Sequence, residues 1–265
     1  MIKLFDLKNK IVLITGSSGF IGSYIAKCLL REKCKLILIL RNQKSFYNIS
    51  SFAKNKNVNI FYADLNNENE LDLVLLDIKK NFKQIDGIIN LASDSSGLGS
   101  SKYKNKFNKY SKAFNNNLFS PIKIILTLRN LLQKNKTIEN SSSVITVSSI
   151  YGILSPVQNI YKNSMFVNPL DYGCSKAAQI QMTKYLANDL SLKKIRFNNL
   201  ILGPIPNQNK NFKKQIYKDK LLKKIPMGRF GRPSDIIGAV YLLLSSQSSF
   251  MNGSSITIDG GWSSN

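Results

Sequence analysis

Residues 11–22, IVLITGSSGFIG, join a short apolar run to a stretch in which apolar residues recur at helical spacing. The apolar run, 11–14, predicts a buried strand, and 19–31 predicts the helix that follows it. Gly16 suits the tight turn, Gly19 a close approach of backbone to a phosphate, and Gly22 close packing of the helix on the sheet. At a strand–helix junction these glycines favour dinucleotide binding, with the pyrophosphate at the free N–H groups of the helix.

The alternation of apolar runs and helical periods continues along the chain. Further strands are predicted at 36–40, 58–62, 87–91, 144–147, 196–202 and 255–258, and further helices at 71–81, 118–132, 172–190 and 234–245. Continuous apolar strands separated by helices are typical of a parallel sheet covered on both faces. Without a repeat or a linker, the sequence predicts a single doubly wound, Rossmann-type α/β domain over residues 1–265.

Two polar, lysine-rich segments interrupt this rhythm. Residues 94–113 and 204–224 are long for loops of an α/β domain, and each follows the carboxyl end of a predicted strand. Because open α/β sheets bind ligands at that edge, both segments are predicted to be substrate loops. Their lysines alternate with aromatic residues, which would suit an anionic substrate that carries a ring.

Composition restricts the possible chemistry. The chain has no histidine and only three scattered cysteines, so histidine-based catalysis, a disulfide framework and a metal site are not expected. No apolar run is long enough for a membrane span and no secretory signal is visible, so a cytoplasmic location is predicted. The net charge of +23 arises mostly from lysine and is either background composition or a functional feature.

The end of the second predicted strand bears on the choice of cofactor. A carboxylate there would bind the ribose 2′-hydroxyl of NAD, whereas a basic residue accommodates the 2′-phosphate of NADP. The strand ends in Arg41 and Asn42 with no carboxylate nearby. The sequence therefore predicts NADP, with NAD possible.

A phenol and an ammonium are four residues apart in the helix predicted at 172–190. Tyr172 and Lys176 lie on one face of that helix. An unperturbed tyrosine, with a pKa of about 10, is a poor acid–base catalyst at neutral pH. A neighbouring ammonium stabilises the phenolate, so we expect Lys176 to lower the pKa of Tyr172.

With its surroundings, this pair resembles the short-chain dehydrogenase/reductase family over nearly the whole chain. The shared motifs are the glycine loop, Asp64-Leu65, Asn90-Leu91-Ala92, Asn117-Leu118, Ser148-Ser149, Tyr172 with Lys176, and the C-terminal segments 228–235 and 259–262. Residues 153–170 form an insertion between Ser149 and Tyr172. This insertion and the residues around Tyr172 are also similar to oxidoreductases of flagellin or surface-glycan sugar biosynthesis.

The resemblance implies a role for each matching residue. Tyr172 would be the acid/base, Lys176 would also hold the nicotinamide ribose, Ser149 would bond the substrate oxygen, and Asn117 would support a water that relays protons to Lys176. The implied cofactor contacts are Gly16, Ser18, Gly19, Phe20, Ile21, Gly22, Arg41, Asp64, Leu65, Asn90, Ala92, Tyr172, Lys176, Gly203 and Ile205. A homodimer or homotetramer is likewise implied.

These observations lead to one main hypothesis and two alternatives. The main hypothesis is an NADP(H)-dependent oxidoreductase that interconverts a carbonyl and an alcohol, with a sugar or sugar nucleotide as the expected substrate. The glycine spacing also suits a sugar-nucleotide epimerase or dehydratase with retained cofactor. The third hypothesis is a non-catalytic cofactor-sensing or nucleic-acid-binding protein. The intact set of Tyr172, Lys176 and Ser149 argues against it, because a protein without turnover does not need these residues.

Overall fold

A seven-stranded, wholly parallel sheet forms the centre of the molecule, with strand order β3-β2-β1-β4-β5-β6-β7. The computed structural model describes residues 5–93, 107–157, 160, 169–189, 192–207 and 215–264. The strands are β1 (Ile11–Thr15), β2 (Lys35–Leu40), β3 (Val58–Tyr62), β4 (Gly87–Asn90), β5 (Ser142–Ser149), β6 (Ile195–Leu202) and β7 (Ser255–Ile258). The strand order turns back at β1 and β4, which confirms the predicted doubly wound fold.

Helices cover both faces of this sheet. In the described part of the chain they are α1 (Phe20–Arg31), α2 (Ser50–Ala53), α3 (Glu68–Asn81), α4 (Phe107–Phe114), α5 (Ser120–Gln133), α6 (Leu170–Ala187), α7 (Gln215–Leu222) and α8 (Ser234–Leu244). Alternate residues of β1 point to opposite faces: Val12 and Ile14 pack with α1 and α8, whereas Leu13 packs with α3 and α5. None of the described helices has the length and apolarity needed to cross a bilayer.

The predicted substrate loops contain helices that the sequence analysis missed. Residues 107–114 form α4, and a π-helical turn, Asn115–Phe119, joins α4 to α5. Residues 215–222 form α7. The lysines obscured the amphipathic spacing in α4, where Ala113 is buried and the helix packs against α6. The remainder of the two segments, 94–106 and 208–214, lies outside the described residues.

Polar contacts fasten the amino-terminal edge of the sheet. The carboxylate of Asp86, just before β4, accepts the Ile11 N–H at 2.7 Å and pairs with the ammonium of Lys136 at 2.5 Å. The Arg196 guanidinium in β6 donates to the hydroxyls of Ser141 and Ser248 and to the carbonyls of Leu243 and Ser245. Because Arg196 is buried, these four acceptors offset the cost of removing its charge from water.

Candidate active site

The loop between β1 and α1 has no room for side chains at two of its glycines. Gly16 has a φ of +72°, and a Cβ built there would lie 2.6 Å from the backbone nitrogen of Ala92. A Cβ at Gly22 would overlap the carbonyl of Gly16. Gly19 is different, because its φ of −75° is open to any residue and its Cβ would lie 3.2 Å from the Gly16 oxygen. The loop is therefore packed closely against both α1 and the end of β4.

Buried polar atoms without partners lie around this loop. Ser17 Oγ, both amide atoms of Asn90 and Ser93 Oγ make no hydrogen bond among the described residues. Thr15 Oγ1, by contrast, accepts the N–H groups of Leu91 and Ala92 at 3.3 Å each. Orphaned donors and acceptors beside a helix N-terminus fit a polar ligand with phosphate and ribose groups. The residues present thus fit a dinucleotide.

The predicted adenosine-binding residues lie on neighbouring strands at the same edge. Arg41 is exposed directly after β2, and Asp64 and Leu65 follow β3, which pairs with β2. Asp64 Oδ1 accepts the Asn66 N–H at 2.9 Å, and the Leu65 carbonyl accepts the Ser120 hydroxyl at 2.5 Å. Asp64 is therefore held within its own loop and Leu65 is held by α5, whereas Arg41 is exposed to solvent.

A cavity of about 360 Å³ opens at the carboxyl edge of β4, β5 and β6 and brings together three of the four predicted catalytic residues, Ser149, Tyr172 and Lys176; Asn117 does not line it. Ser149 ends β5, and Tyr172 and Lys176 occupy the first turns of α6. Ile21, Gly203 and Ile205 from the predicted cofactor set also line this cavity. Although 23 residues separate Ser149 from Tyr172 in sequence, the Tyr172 side chain hydrogen-bonds Ser149.

Close backbone contact holds β5 and α6 at this distance. A Cβ at Gly152 would lie 2.8 Å from the backbone carbon of Lys176. The Ser148 hydroxyl donates to the Lys176 carbonyl at 2.8 Å, and the Ser149 hydroxyl accepts the Tyr151 N–H at 3.2 Å. Ser149 and Tyr172 therefore line one cavity although residues 153–170 lie between them in sequence; residues 158–159 and 161–168 lie outside the described residues.

Burial dominates the electrostatics of the pair. Burial lowers the pKa of Lys176 from 10.5 to about 7, while its ammonium donates to the Val147 carbonyl at 2.9 Å. Burial also raises the pKa of Tyr172, an effect that the hydrogen bond to Ser149 opposes. The lysine nitrogen lies 5.8 Å from the centroid of the tyrosine ring. That Lys176 lowers the pKa of Tyr172 stays a prediction.

Asn117 is buried in the π-helical turn and faces α6. Its side-chain amide donates to the Ser175 hydroxyl at 2.9 Å, and its backbone carbonyl accepts the amide of Gln179 at 2.6 Å. Gln179 was not predicted from the sequence. A glutamine inside an amphipathic helix gives no sign of which way it points, although its position three residues after Lys176 places it one turn along the same face.

One wall of the cavity is apolar and aromatic. Tyr151, Leu221 and Trp262 line it, together with three residues that follow β6, Pro204, Ile205 and Pro206. Leu221 and Trp262 also belong to a small core of buried apolar residues that backs this wall: Ile150, Ile160, Ile180, Ile201, Leu221, Ile225, Phe230 and Trp262. Within the described ranges no three potential metal ligands cluster here or elsewhere.

Known proteins share this architecture along almost the whole chain. Residues 16–263 match the family model described as enoyl-(acyl carrier protein) reductase. A rhamnolipid-biosynthesis 3-oxoacyl-[acyl-carrier-protein] reductase of Pseudomonas aeruginosa is 27% identical, covering 97% of this chain and 98% of that protein. A post-translational flagellin modification protein A of Campylobacter coli is 26% identical, covering 97% and 99% respectively.

Solved structures give the same picture. The Pseudomonas aeruginosa RhlG/NADP active-site complex superposes with a TM-score of 0.86 at 26% identity, covering 99% of both chains. A short-chain dehydrogenase from Leptospira borgpetersenii with bound NAD⁺ superposes with a TM-score of 0.83 at 28% identity, covering 96% of this chain and 93% of that one.

Proposed function

The chain belongs to the short-chain dehydrogenase/reductase family of NAD(P)-dependent oxidoreductases, and we propose that it interconverts a carbonyl and an alcohol with NADP(H), using Tyr172 as the acid/base. The observation that carries the proposal is the convergence of Ser149, Tyr172 and Lys176 on one cavity beside the glycine loop. A side-chain set of this kind needs no histidine, which the chain lacks.

In the direction of reduction, the Tyr172 hydroxyl donates its proton to the carbonyl oxygen, and the Ser149 hydroxyl donates a hydrogen bond to the same oxygen. A nicotinamide cofactor, with its ribose held by Lys176, would supply the hydride in reduction and accept it in oxidation. The ammonium of Lys176 stabilises the phenolate that Tyr172 becomes. Proton and hydride together convert the C=O group to CH–OH, and the reverse transfers oxidise the alcohol.

The cofactor groove supports NADP(H) over NAD(H). Arg41 at the end of β2 is exposed and free to reach a 2′-phosphate, and no carboxylate follows that strand. The orphaned polar atoms of Ser17 and Asn90 lie where phosphate and ribose groups need partners. The RhlG relative was solved with NADP, whereas the Leptospira relative was solved with NAD⁺, so NAD(H) is the second choice.

Two substrate classes are candidates. A sugar or sugar nucleotide follows from the resemblance of the residues around Tyr172 to oxidoreductases of flagellin or surface-glycan sugar biosynthesis, and one relative is a flagellin modification protein. A 3-oxoacyl substrate is the second candidate, because Leu221 and Trp262 present an apolar wall and a curated relative is a 3-oxoacyl reductase. A panel of keto-sugars, sugar nucleotides and 3-oxoacyl thioesters, assayed by NADPH oxidation, distinguishes the two. The homo-oligomeric assembly and the cytoplasmic location stay predictions.

The mechanism is tested by Tyr172→Phe, with Tyr185→Phe as the matched control because Tyr185 is exposed on the same helix. We expect Tyr172→Phe to lower kcat by roughly 10²–10⁴-fold. NADPH affinity and thermal stability should remain near those of the parent protein. Full turnover in Tyr172→Phe would exclude tyrosine as the acid/base.

A further inference from the structure

The side-chain amide of Gln179 forms a bridge inside the protein between Lys176 and the π-helical turn. Its oxygen accepts the Lys176 ammonium at 3.1 Å, and its nitrogen donates to the Asn117 carbonyl at 2.6 Å. Lys176, Gln179 and Asn117 are all buried. The partners also fix which way the amide points, since the flipped amide would set donor against donor and oxygen against oxygen.

The resemblance to the family implied a water between Asn117 and Lys176, but here an amide spans the same two groups. An amide can accept from an ammonium and donate to a carbonyl, yet it does not pass a proton between them as a chain of waters does. We propose that Gln179 is a positioning residue, which fixes the Lys176 ammonium against the Asn117 carbonyl by a direct amide bridge and takes the place of a solvent-filled proton route. This inference rests on the proposed function of the site.

The backbone around Gln179 supports this role. The Thr183 hydroxyl oxygen lies 3.0 Å from the Gln179 carbonyl oxygen and 2.8 Å from the Asn199 amide oxygen of β6, so its one proton can be donated to either acceptor. The turn of α6 that carries the glutamine is thus tied to the sheet. The lysine chain is held from the other side by the Val147 carbonyl of β5. A rigid amide between two fixed elements limits the positions that the ammonium can occupy.

Several ionisable groups lie on the elements that surround this ammonium. The Tyr172 ring centroid lies 5.8 Å from the lysine nitrogen, and Tyr151 lines the same cavity. Asp171 is buried on the same helix, and α4, which packs against α6, carries Tyr110 and the exposed Lys112. Strand β5 and the π-helical turn contribute only carbonyl, hydroxyl and amide groups, and the one ionisable residue of β6, Arg196, lies near the amino end of its strand. Among the described residues the Lys176 ammonium donates to two acceptors, the Val147 carbonyl and the Gln179 side-chain oxygen. Loss of the Gln179 oxygen should therefore favour the neutral amine.

Two substitutions separate positioning from packing. Gln179→Leu fills most of the volume but has no polar atom, so the ammonium and the Asn117 carbonyl lose their partner. Gln179→Ala leaves a larger space between two polar groups, and such a space admits water. Packing alone would make Ala the more damaging change. The bridge predicts the reverse order for catalysis, with kcat falling roughly tenfold or more in Gln179→Leu and less in Gln179→Ala.

The pH dependence supplies the second readout. We expect the basic limb of kcat/KM in the reductive direction to move down by roughly one pH unit in Gln179→Leu. Gln181→Leu and Gln181→Ala are the matched controls, because Gln181 is exposed on the same helix. If Gln179→Leu does not fold, Gln179→Asn, whose side chain is too short to span the gap, replaces it.

A measurement without substrate keeps the bridge separate from the proposed activity. The Lys176 side chain is titrated by NMR on ¹³C-lysine-labelled full-length protein, with Lys176→Arg to assign its signal. A lower lysine pKa in Gln179→Leu than in the parent supports the bridge even if no tested carbonyl is reduced. An unchanged lysine titration, or a folded Gln179→Leu with parental kcat and pH profile, would overturn it.

Discussion

Alanine substitutions at the three glycines of the β1–α1 loop should separate folding from cofactor binding. At Gly16 the positive φ alone costs an alanine about 1–2 kcal/mol, and the 2.6 Å approach to Ala92 adds a similar amount of overpacking. The sum is about 3 kcal/mol, which corresponds to a fall in Tm of roughly 6–12 °C for a domain of this size. Gly22→Ala should behave similarly, because its Cβ overlaps the Gly16 carbonyl.

Gly19→Ala should have the opposite profile. Its backbone suits any residue and its Cβ has a contact of 3.2 Å, so we expect a change in stability below about 1 kcal/mol. If a pyrophosphate approaches this backbone, the added methyl group should weaken NADPH binding at least tenfold, or about 1.4 kcal/mol.

Both quantities can be measured on the same samples. Calorimetry gives Tm, and the fluorescence of Trp262, the single tryptophan and a wall of the cavity, reports NADPH binding. Parental NADPH affinity in Gly19→Ala would refute the argument that this loop cradles phosphate. An unchanged Tm in Gly16→Ala would refute the packing argument.

Three further predictions concern charged side chains. Arg41→Asp should shift the ratio of NADPH to NADH affinity by tenfold or more toward NADH. The control Arg31→Asp changes an exposed arginine at the far end of α1 and should leave this ratio unchanged. Equal use of both cofactors by the parent protein would contradict the role of Arg41. Lys176 in the folded protein has a pKa of about 7, below its ordinary 10.5, so between these values the unfolded chain binds the extra proton and parental stability should rise with pH. In denaturant titrations, the free energy of unfolding of Lys176→Met minus that of the parent should therefore decrease from pH 7 toward pH 10. A difference that stays constant over this range would show that folding does not lower the pKa of Lys176. Asp86→Asn should lower the free energy of unfolding by roughly 3 kcal/mol, because it leaves the buried Lys136 without its charged partner. Asp72→Asn, in the more exposed pair with Lys123, should lower it by under about 1 kcal/mol. Similar urea midpoints for the two variants would contradict this ranking.

The sequence predicts the sheet well because its strands are continuous apolar runs. The structure confirms the strands and the doubly wound topology, with bounds that shift by a few residues; the helix predicted at 172–190, for example, spans Leu170–Ala187. Ser149, Tyr172 and Lys176 meet because carboxyl ends of parallel strands share one edge. Helix α4 was missed because its lysines obscured the apolar face.

What the sequence could not supply depends on burial and side-chain direction. The direction of the Tyr172 pKa shift results from desolvation, which the hydrogen bond to Ser149 opposes, and that balance depends on how deeply the site is buried. The Gln179 bridge depends on the π-helical turn, which aims the Asn117 carbonyl at α6. Neither feature leaves a pattern in the order of residues.

The polar fastening around Asp86 and Arg196 lies at the opposite edge of the sheet from the cavity. Rigidity and recognition are therefore assigned to different ends of the same strands. Randomised libraries that vary only partly exposed residues beyond the carboxyl ends, such as Tyr151, Pro204 and Pro206, should yield mostly folded members. Libraries that include Ser141, Lys136 or Ser248 should instead be dominated by unfolded chains, so a search for new specificity can leave that edge untouched.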